Sequence, residues 1–469
     1  MSQPKPLIVD VDGTFLATDM LLECFWQAMG RAPLACLGIC LKHFGDRARL
    51  KAELAALAPL RVDLLPVNED VKHLVEQSLS QGREVRFASG SDQSLVTALA
   101  EHHGIPGEQK ASDGVVNLTG RRKAAHLIDS YGEKGFDYAG DGRVDRPVWQ
   151  AAENAIIVGN HPQIAHSLAA QGQNVEEIQQ RWRKRDLLRA MRPHQWVKNV
   201  LLFLPLLAAH RFDMPSLVIM LVAAIAFSFA ASCIYLVNDL LDLEADRLHP
   251  TKQRRPFASG KVPITIGMAA TLWLGGMAIG LAAAVNAALL GVVILYMGVS
   301  LAYSLRLKRL RWVDIATLAS LYSIRVIAGA MAVSVPATGF LVAFIFPSFI
   351  ALGCVKRLTE LTLATSDERL PGRGYGRPDR GDLLNVAGLG TFGALLAFFL
   401  YSFTESAEDL YSRIWLLWLA LIPIAAWLIR MVVLGWKGKQ DYDPIVFAMS
   451  DKIGIALIIV IVSMMLLAS

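Results

Sequence analysis

Cysteine is scarce in this chain, and no two cysteines have the spacing of a metal or redox site. Cys24, Cys36, Cys40, Cys233 and Cys354 form no CxxC and no Cys/His ligand pattern, which excludes a zinc-ribbon or thioredoxin-like reading. Cys36 and Cys40 lie one helical turn apart and suit packing in a helix, so the soluble part is expected in a reducing compartment. The N-terminus lacks the basic head and apolar core of a signal peptide, because Pro4 to Gly13 reads as a short strand ending in acids. Charge of one sign is lacking too: a net +5 over 469 residues makes no case for nucleic acid as a partner. Long apolar runs are missing before about residue 195 and dominate after it. The 54% hydrophobic content and mean hydropathy of +0.40 therefore describe a soluble domain followed by an all-α membrane bundle.

Apolar runs at roughly 197–210, 216–238, 263–284, 286–304, 312–332, 338–355, 384–403, 413–434 and 452–468 predict about nine transmembrane helices, most long enough for about 30 Å of hydrocarbon. Lys and Arg gather in the connections 239–262, 305–311, 356–383 and 435–451. With the N-terminal domain in the cytoplasm, all four connections fall on the cytoplasmic side, as the positive-inside rule requires. The expectation is a multi-pass protein of the bacterial plasma membrane. Residues 1–165 read as the soluble domain, 166–194 as a linker with an interfacial helix, and 195–469 as the bundle. Within the linker, Ala169 to Gln180 is polar, and Arg181 to Arg192 reads as a basic amphipathic helix anchored by Trp182 and Leu side chains.

The run Leu217 to Val237 ends in Asn238-Asp239-Leu240-Leu241-Asp242-Leu243-Glu244-Ala245-Asp246. On a helix at about 100° per residue, Asn238, Asp239, Asp242 and Asp246 share roughly a quarter of the circumference. Acids aligned at a membrane boundary call for a cation, and hard oxygen ligands suit Mg²⁺ holding a diphosphate. A basic loop follows, with Lys252, Arg254 and Arg255 as candidates for phosphate oxygens. Lys198 and Asn199 open the first span. Asp314 opens the fifth, with Arg325 eleven residues later on the same side of the helix. An Arg inside a span faces an interior cavity by default. Lys356, Arg357 and Glu360 close the sixth; Lys356 and Glu360, one turn apart, could simply pair.

In the soluble half, Leu7 to Val9 is a buried strand running into Asp10, Asp12, Gly13 and Thr14. Asp10 is placed as a nucleophile and Asp12 as a general acid and base. Glu84 to Ala88 leads into Ser89-Gly90-Ser91, and Phe136 to Ala139 into Gly140-Asp141-Gly142-Arg143-Val144-Asp145. Lys123 stands in a helix over Arg122 to Ser130. In an open α/β sheet these strand ends meet in one crevice.

This set, in this order, resembles the haloacid dehalogenase superfamily of phosphohydrolases over residues 5 to about 160. The resemblance implies a Rossmann-like α/β fold with a helical cap at about 15–80 and Asp10 as the aspartyl-phosphate nucleophile. Ser89 and Lys123 would hold the phosphoryl group, and Asp10, Asp141 and Asp145 would bind Mg²⁺. The motif NDxxDxxxD resembles the UbiA superfamily of intramembrane transferases over roughly 185–469. That resemblance implies Mg²⁺ on Asp239, Asp242 and Asp246, activating a diphosphate leaving group. Where typical members carry a second aspartate-rich motif, this chain has Lys356-Arg357-Leu358-Thr359-Glu360. With Arg192-Pro193-His194-Gln195-Trp196-Val197-Lys198-Asn199 and Ser323-Ile324-Arg325-Val326, it looks like the polyprenyl-phosphate phosphoribosyltransferase branch, known in arabinan precursor synthesis for cell walls. The implied partners are phosphoribosyl diphosphate, a polyprenyl phosphate lipid and the membrane; a homo-oligomer is compatible with the sequence. Competing readings are a prenyltransferase with a polyprenyl diphosphate donor, a phosphatase-headed transport or lipid-binding protein, and a transferase with a regulatory head.

Overall fold

The computed structural model describes residues 4–179, 182–336, 338–364, 369, 374–440 and 443–469. The chain divides into two compact units, Met1–Met191 with Leu236–Ala270, and Arg192–Tyr235 with Thr271–Ser469.

The first unit is built on a six-stranded sheet in the order β3-β2-β1-β4-β5-β6, every pair parallel. The strands are β1 (Leu7–Val9), β2 (Val85–Asp92), β3 (Lys110–Ser112), β4 (Asp137–Gly140), β5 (Asn154–Val158) and β6 (Asn174–Ile178). Leu7, Ile8 and Val9 are wholly buried, as a strand covered on both faces must be. Leu7 and Val9 point into one core with Phe15 and Phe87, and Ile8 into the other with Tyr138 and Trp149. The strand order places β1 centrally, so the ends of β1, β2 and β4 lie side by side.

Between β1 and β2 the chain leaves the sheet and returns through a bridge between Leu16 and Val67. The insertion expected as a cap at about 15–80 therefore spans about 17–66, and we refer to it as the cap. It holds the helices Met20–Arg31, Pro33–Lys42 and Arg47–Leu57. Asp19 and Asp46 start the first and third by accepting the N–H of Leu22 and Arg49. The next helix, Glu69–Ser80, belongs to the sheet layer, with Val71 and Val75 in its core. The expected linker after 165 contains β6, so the domain runs to at least Ile178. Its sequence, Asn-Val-Glu-Glu-Ile, is polar because it is an edge strand paired on one side only. The expected basic helix is shorter, Lys184–Ala190; Arg181 lies outside the described residues.

Residues 236–270 of this unit pack against the cap. The helix Met214–Leu241 stops at Asp242, whose φ of −103° and ψ of 16° break it, and Leu243–Leu248 begins a new one. Arg247, nearly buried, grips the equally buried Glu23 of the cap with two hydrogen bonds of 3.0 and 2.6 Å. Thr18 donates to the same carboxylate at 2.6 Å.

The second unit is helical. Among the described residues, seven helices are long and apolar enough to cross a membrane: Met214–Leu241, Ile264–Val285, Ala287–Leu305, Val313–Ala332, Gly339–Leu363, Arg377–Tyr401 and Ile414–Trp436. The other two expected spans are shorter. The first is a 3₁₀ stretch, Pro193–Phe203, followed by the short helix Leu204–Ala208, and the last is a 17-residue helix, Lys452–Ala468. Val313–Ala332 is the most enclosed, 72% buried, which makes it the axis of the bundle. Gly329 permits this: a Cβ there would strike the Leu202 backbone.

The Arg247–Glu23 pair yields a stability prediction. Arg247→Met leaves a buried carboxylate unpaired and should destabilise the first unit by about 3 kcal/mol. Adding Glu23→Gln should recover part of that loss. Thermal unfolding of the full chain in detergent, followed by tryptophan fluorescence, measures both; additive losses would contradict the pairing.

Candidate functional site

Asp10 stands where the chain leaves β1. Its Oδ1 accepts the Val11 N–H at 2.9 Å and the Lys123 ammonium at 3.0 Å. A single π-turn, Val11–Phe15, follows and carries Asp12. Asp12 accepts the Met20 N–H at 2.8 Å and the Ser91 hydroxyl at 2.5 Å. Gly13 sits at φ +71°, and a Cβ on it would run into the Asp141 carboxylate; glycine is what lets Asp141 approach. Asp145 accepts from the Tyr138 hydroxyl at 2.8 Å and from Lys123 at 3.4 Å.

Ligand oxygens of Asp10, Asp141 and Asp145 all lie within 4.8 Å of one another. Burial pushes the Asp10 carboxyl up to about 7; Lys123 pulls against it, and Asp145 and Asp12 add to it. Burial, then Asp10 and Asp145, push Asp141 up to about 8. Burial and Asp19 raise Asp12 to about 6. Burial alone would lower the Lys123 ammonium, but Asp10 and Asp145 outweigh it and hold it above its ordinary value. Hard oxygens whose ionisation is opposed by burial and like charge fit a divalent cation such as Mg²⁺.

These side chains floor a cavity of about 900 Å³. Ser89, the expected phosphoryl-binding hydroxyl, is fully buried; it accepts the Ser91 N–H at 3.0 Å and stands 3.5 Å from Asp12. Ser91 is the nearer hydroxyl. Motif reading also missed Lys51 and Tyr138. Lys51 reaches in from the cap helix Arg47–Leu57 and donates to Gly90 O at 2.6 Å. Burial lowers its ammonium, while Asp12, Asp19 and Asp10 draw it up. Nothing in its local sequence marks it.

The aspartates after the second apolar run form a different arrangement. Asp239 and Asp246 are 2% and 3% exposed. One guanidinium nitrogen of Arg255 donates to both, at 3.0 and 2.7 Å. Burial pushes Asp246 up to about 6, opposed by Arg255 and aided by Asp239. Asp242 lies at the helix break, its N–H bonded to Asn238 O at 3.0 Å. The continuous acidic face is thus bent. Among the described residues, Asp239, Asp242 and Asp246 do not form a trio as close as that of Asp10. Arg255, expected on phosphate, is paired with the acids, while Lys252 and Arg254 are exposed.

In the helical unit the expected residues sort into two buried polar clusters. In one, Arg357 and Asp314, both 0% exposed, pair through contacts of 2.5 and 2.8 Å. Glu360 and the Tyr303 hydroxyl complete it, at 2.5 and 2.9 Å from Arg357. A guanidinium so fully engaged is a helix lock; the expectation that Arg357, Asp314 and Glu360 face substrate gives way to this ion-paired core. In the other, Lys198 pairs with Asp443, and Lys356 lies 4.0 Å from the same carboxylate. Lys356 therefore does not pair with Glu360. Asn199 accepts from Arg325 at 3.3 Å and donates to Ser228 at 2.9 Å. Arg325 gives its other bonds to Leu321 O and the Tyr296 hydroxyl. Asp314 and Arg325 share a helix but serve separate clusters. Asp443 went unnoticed because it lies in a loop after the eighth expected span; the only sequence signal is its place before Pro444, capping Pro444–Ala448.

Helices long and apolar enough to cross a membrane, with ion-paired side chains buried among them, define a membrane-embedded protein. The chain belongs to the UbiA prenyltransferase family, whose profile matches residues 199–450, and it is a multi-pass membrane transferase. It is 33% identical over 454 residues to the uncharacterized protein y4nM of Sinorhizobium fredii, covering 95% of this chain and 88% of that one. It is 35% identical over 274 residues to the decaprenyl-phosphate phosphoribosyltransferase of Mycobacterium tuberculosis, covering 57% of this chain and 88% of that one. A UbiA homolog from Archaeoglobus fulgidus, solved bound to GPP and Mg²⁺, aligns over 60% of this chain and 99% of its own at 13% identity, with a TM-score of 0.47.

Asp443 gives a pH prediction. Burial would raise its carboxyl, but Lys198 and Lys356 outweigh burial and hold it at about 2, below the ordinary 3.8. A depressed carboxylate stabilises the fold above its unfolded value and loses that contribution as pH falls toward 2. Asp443→Asn should cost roughly 2 kcal/mol at neutral pH, and the gap to the parent should close between about pH 4 and 2. Melting temperatures across pH read this; a gap independent of pH would contradict it.

Proposed function

We propose that the helical unit transfers 5-phosphoribose from phosphoribosyl diphosphate to a polyprenyl phosphate, and that the N-terminal domain removes the 5-phosphate to leave polyprenyl-phosphoryl-ribose. The observation that carries the first step is the composition of the buried polar interior. Where a second acidic cluster would serve a second magnesium, the helix Gly339–Leu363 carries Lys356, which shares the Asp443 carboxylate with Lys198. Cations suit a donor with a phosphate besides its diphosphate and an acceptor that is itself a phosphate. The resemblance to a named decaprenyl-phosphate phosphoribosyltransferase over 88% of its length supports the same reading.

In this mechanism Asp239, Asp242 and Asp246 would hold Mg²⁺, which would supply charge stabilisation to the diphosphate leaving group. Arg255 neutralises these acids at rest and turns to phosphate oxygens when the donor arrives. Lys252, Arg254, Lys198, Lys356 and Arg325 serve the remaining anions. A lipid phosphate oxygen attacks C1 of the ribose while the C1–O bond to diphosphate breaks. The attacking oxygen is already anionic, so no strong general base is needed.

The phosphatase step uses the Asp10 site. The Asp10 carboxylate attacks the 5-phosphate phosphorus, and the departing C5 oxygen takes a proton from Asp12. Water then attacks the aspartyl-phosphate, returns a proton to Asp12 and releases inorganic phosphate. Lys123 and Ser91 hold phosphoryl oxygens; Asp10, Asp141 and Asp145 would hold Mg²⁺.

Purified protein given labelled phosphoribosyl diphosphate and polyprenyl phosphate tests both steps by mass spectrometry of the lipid. Asp10→Asn should leave a product one phosphate heavier than the parent's, and Asp242→Asn should reduce lipid product at least about a hundredfold. An unchanged product distribution in Asp10→Asn would contradict the second step.

A further inference from the structure

The wall of the phosphatase cavity is not all phosphatase. Asp10, Asp12, Lys123, Asp141 and Asp145 lie on its floor and Lys51 on the cap side, but Gly260, Lys261, Pro263, Ile264 and Thr265 line it as well. These residues follow the aspartate motif and open the helix Ile264–Val285, one of the apolar helices long enough to span a membrane.

This wall is built in. Phe257 and Ala258 are buried, and Arg247, fixed by Glu23, also donates to Ala258 O at 3.0 Å. The Val262 N–H closes a turn on Pro256 O at 3.1 Å. Gly260, at φ +69°, lies so close to the cap that a Cβ would come 2.8 Å from Ala17 Cβ and 3.0 Å from Pro66 Cβ. The side chain next in sequence, Lys261, is exposed in the cavity wall.

A substrate held in the bilayer would enter this cavity from the side of that helix. At about 900 Å³ it is near the upper end of ligand pockets, with room for more than one phosphorylated sugar. The catalytic floor provides for one phosphate. Lys261 is a third lysine of this cavity, apart in sequence from Lys123 on the floor and Lys51 on the cap side, and it lies three residues before the apolar helix Ile264–Val285.

We propose that Lys261 is a specificity-determining residue, taking the phosphodiester of a membrane-held substrate while Asp10 attacks the terminal phosphomonoester. The phosphatase then selects lipid-linked phosphosugars over free sugar phosphates. This deepens the two-step reading above and rests on it. An ammonium on a phosphodiester oxygen is a charge-assisted contact, and its loss is expected to cost about tenfold in selectivity.

The test uses the full chain in nanodiscs, with phosphate release measured on ribose 5-phosphate, ribose 1,5-bisphosphate and polyprenyl-phosphoryl-5-phosphoribose. The parent should prefer the lipid substrate over ribose 5-phosphate by kcat/KM. In Lys261→Ala that ratio should fall about tenfold, mainly through KM, and Lys261→Arg should restore most of it. The bisphosphate, which has the C1 phosphate without the lipid, should lose along with the lipid substrate. Equal parental kcat/KM on lipid and ribose 5-phosphate, or a Lys261→Ala loss equal on all three, overturns the inference and leaves the phosphatase standing. Phosphate release that survives Asp10→Asn, or none from the parent on any substrate, overturns the phosphatase reading itself.

Discussion

A carboxylate shut away from water needs a counter-charge, and both halves of this protein are organised around that requirement. Its clearest expression is Arg255, which holds Asp239 and Asp246 together although both are almost wholly buried. Two such acids without a cation would repel each other in a medium of low dielectric. The guanidinium offsets that repulsion and holds the two carboxylates in place. Lys123 likewise supplies counter-charge to Asp10 and Asp145, and Lys198 with Lys356 to Asp443. In the proposed chemistry each pairing is a resting state that an anionic substrate with its cation replaces. Arg357 with Asp314 differs: both are sealed at 0% exposure and satisfied by neighbours, so that pair fastens helices.

The segment after the aspartate motif connects two clusters of acids by covalent continuity. Arg255, near its start, clasps the acids; Gly260 and Lys261, a few residues on, line the cavity above Asp10. Arg247 and Glu23 fix its position against the cap. A transferase product and a phosphatase substrate that are the same lipid would gain from such an arrangement, because the intermediate stays in the plane of the membrane between steps.

The legible parts of the sequence were those with a strong period or a tight motif. β1 was readable because Leu7-Ile8-Val9 is apolar without interruption and ends in Asp10-Val11-Asp12-Gly13. Seven apolar helices were readable by length. The aspartates Asp239, Asp242 and Asp246 were readable as a group, but not the break at Asp242, since a helix period says nothing about where tertiary packing bends it. β6 was hidden because an edge strand can be polar. The 3₁₀ stretch Pro193–Phe203 was hidden because its apolar count is that of a helix. Lys51 and Asp443 join their sites only through contacts distant in sequence, and no local pattern encodes those; Ser89 and Ser91 stood in one motif, which did not say which hydroxyl lies nearer Asp12. The pairing of Arg255 with Asp239 and Asp246, and of Arg357 with Asp314, was not legible for one reason: a basic residue beside a predicted phosphate site looks the same in sequence whether or not a neighbouring acid engages it.

The most direct measurement offers the purified chain, with Mg²⁺, a labelled phosphoribosyl diphosphate and a labelled polyprenyl diphosphate in competition, with polyprenyl phosphate and an aromatic acid as acceptors. The account predicts ribose label on the lipid phosphate, diphosphate released in equal amount, and no prenyl label on the aromatic acceptor. Prenyl transfer without ribose transfer would contradict it.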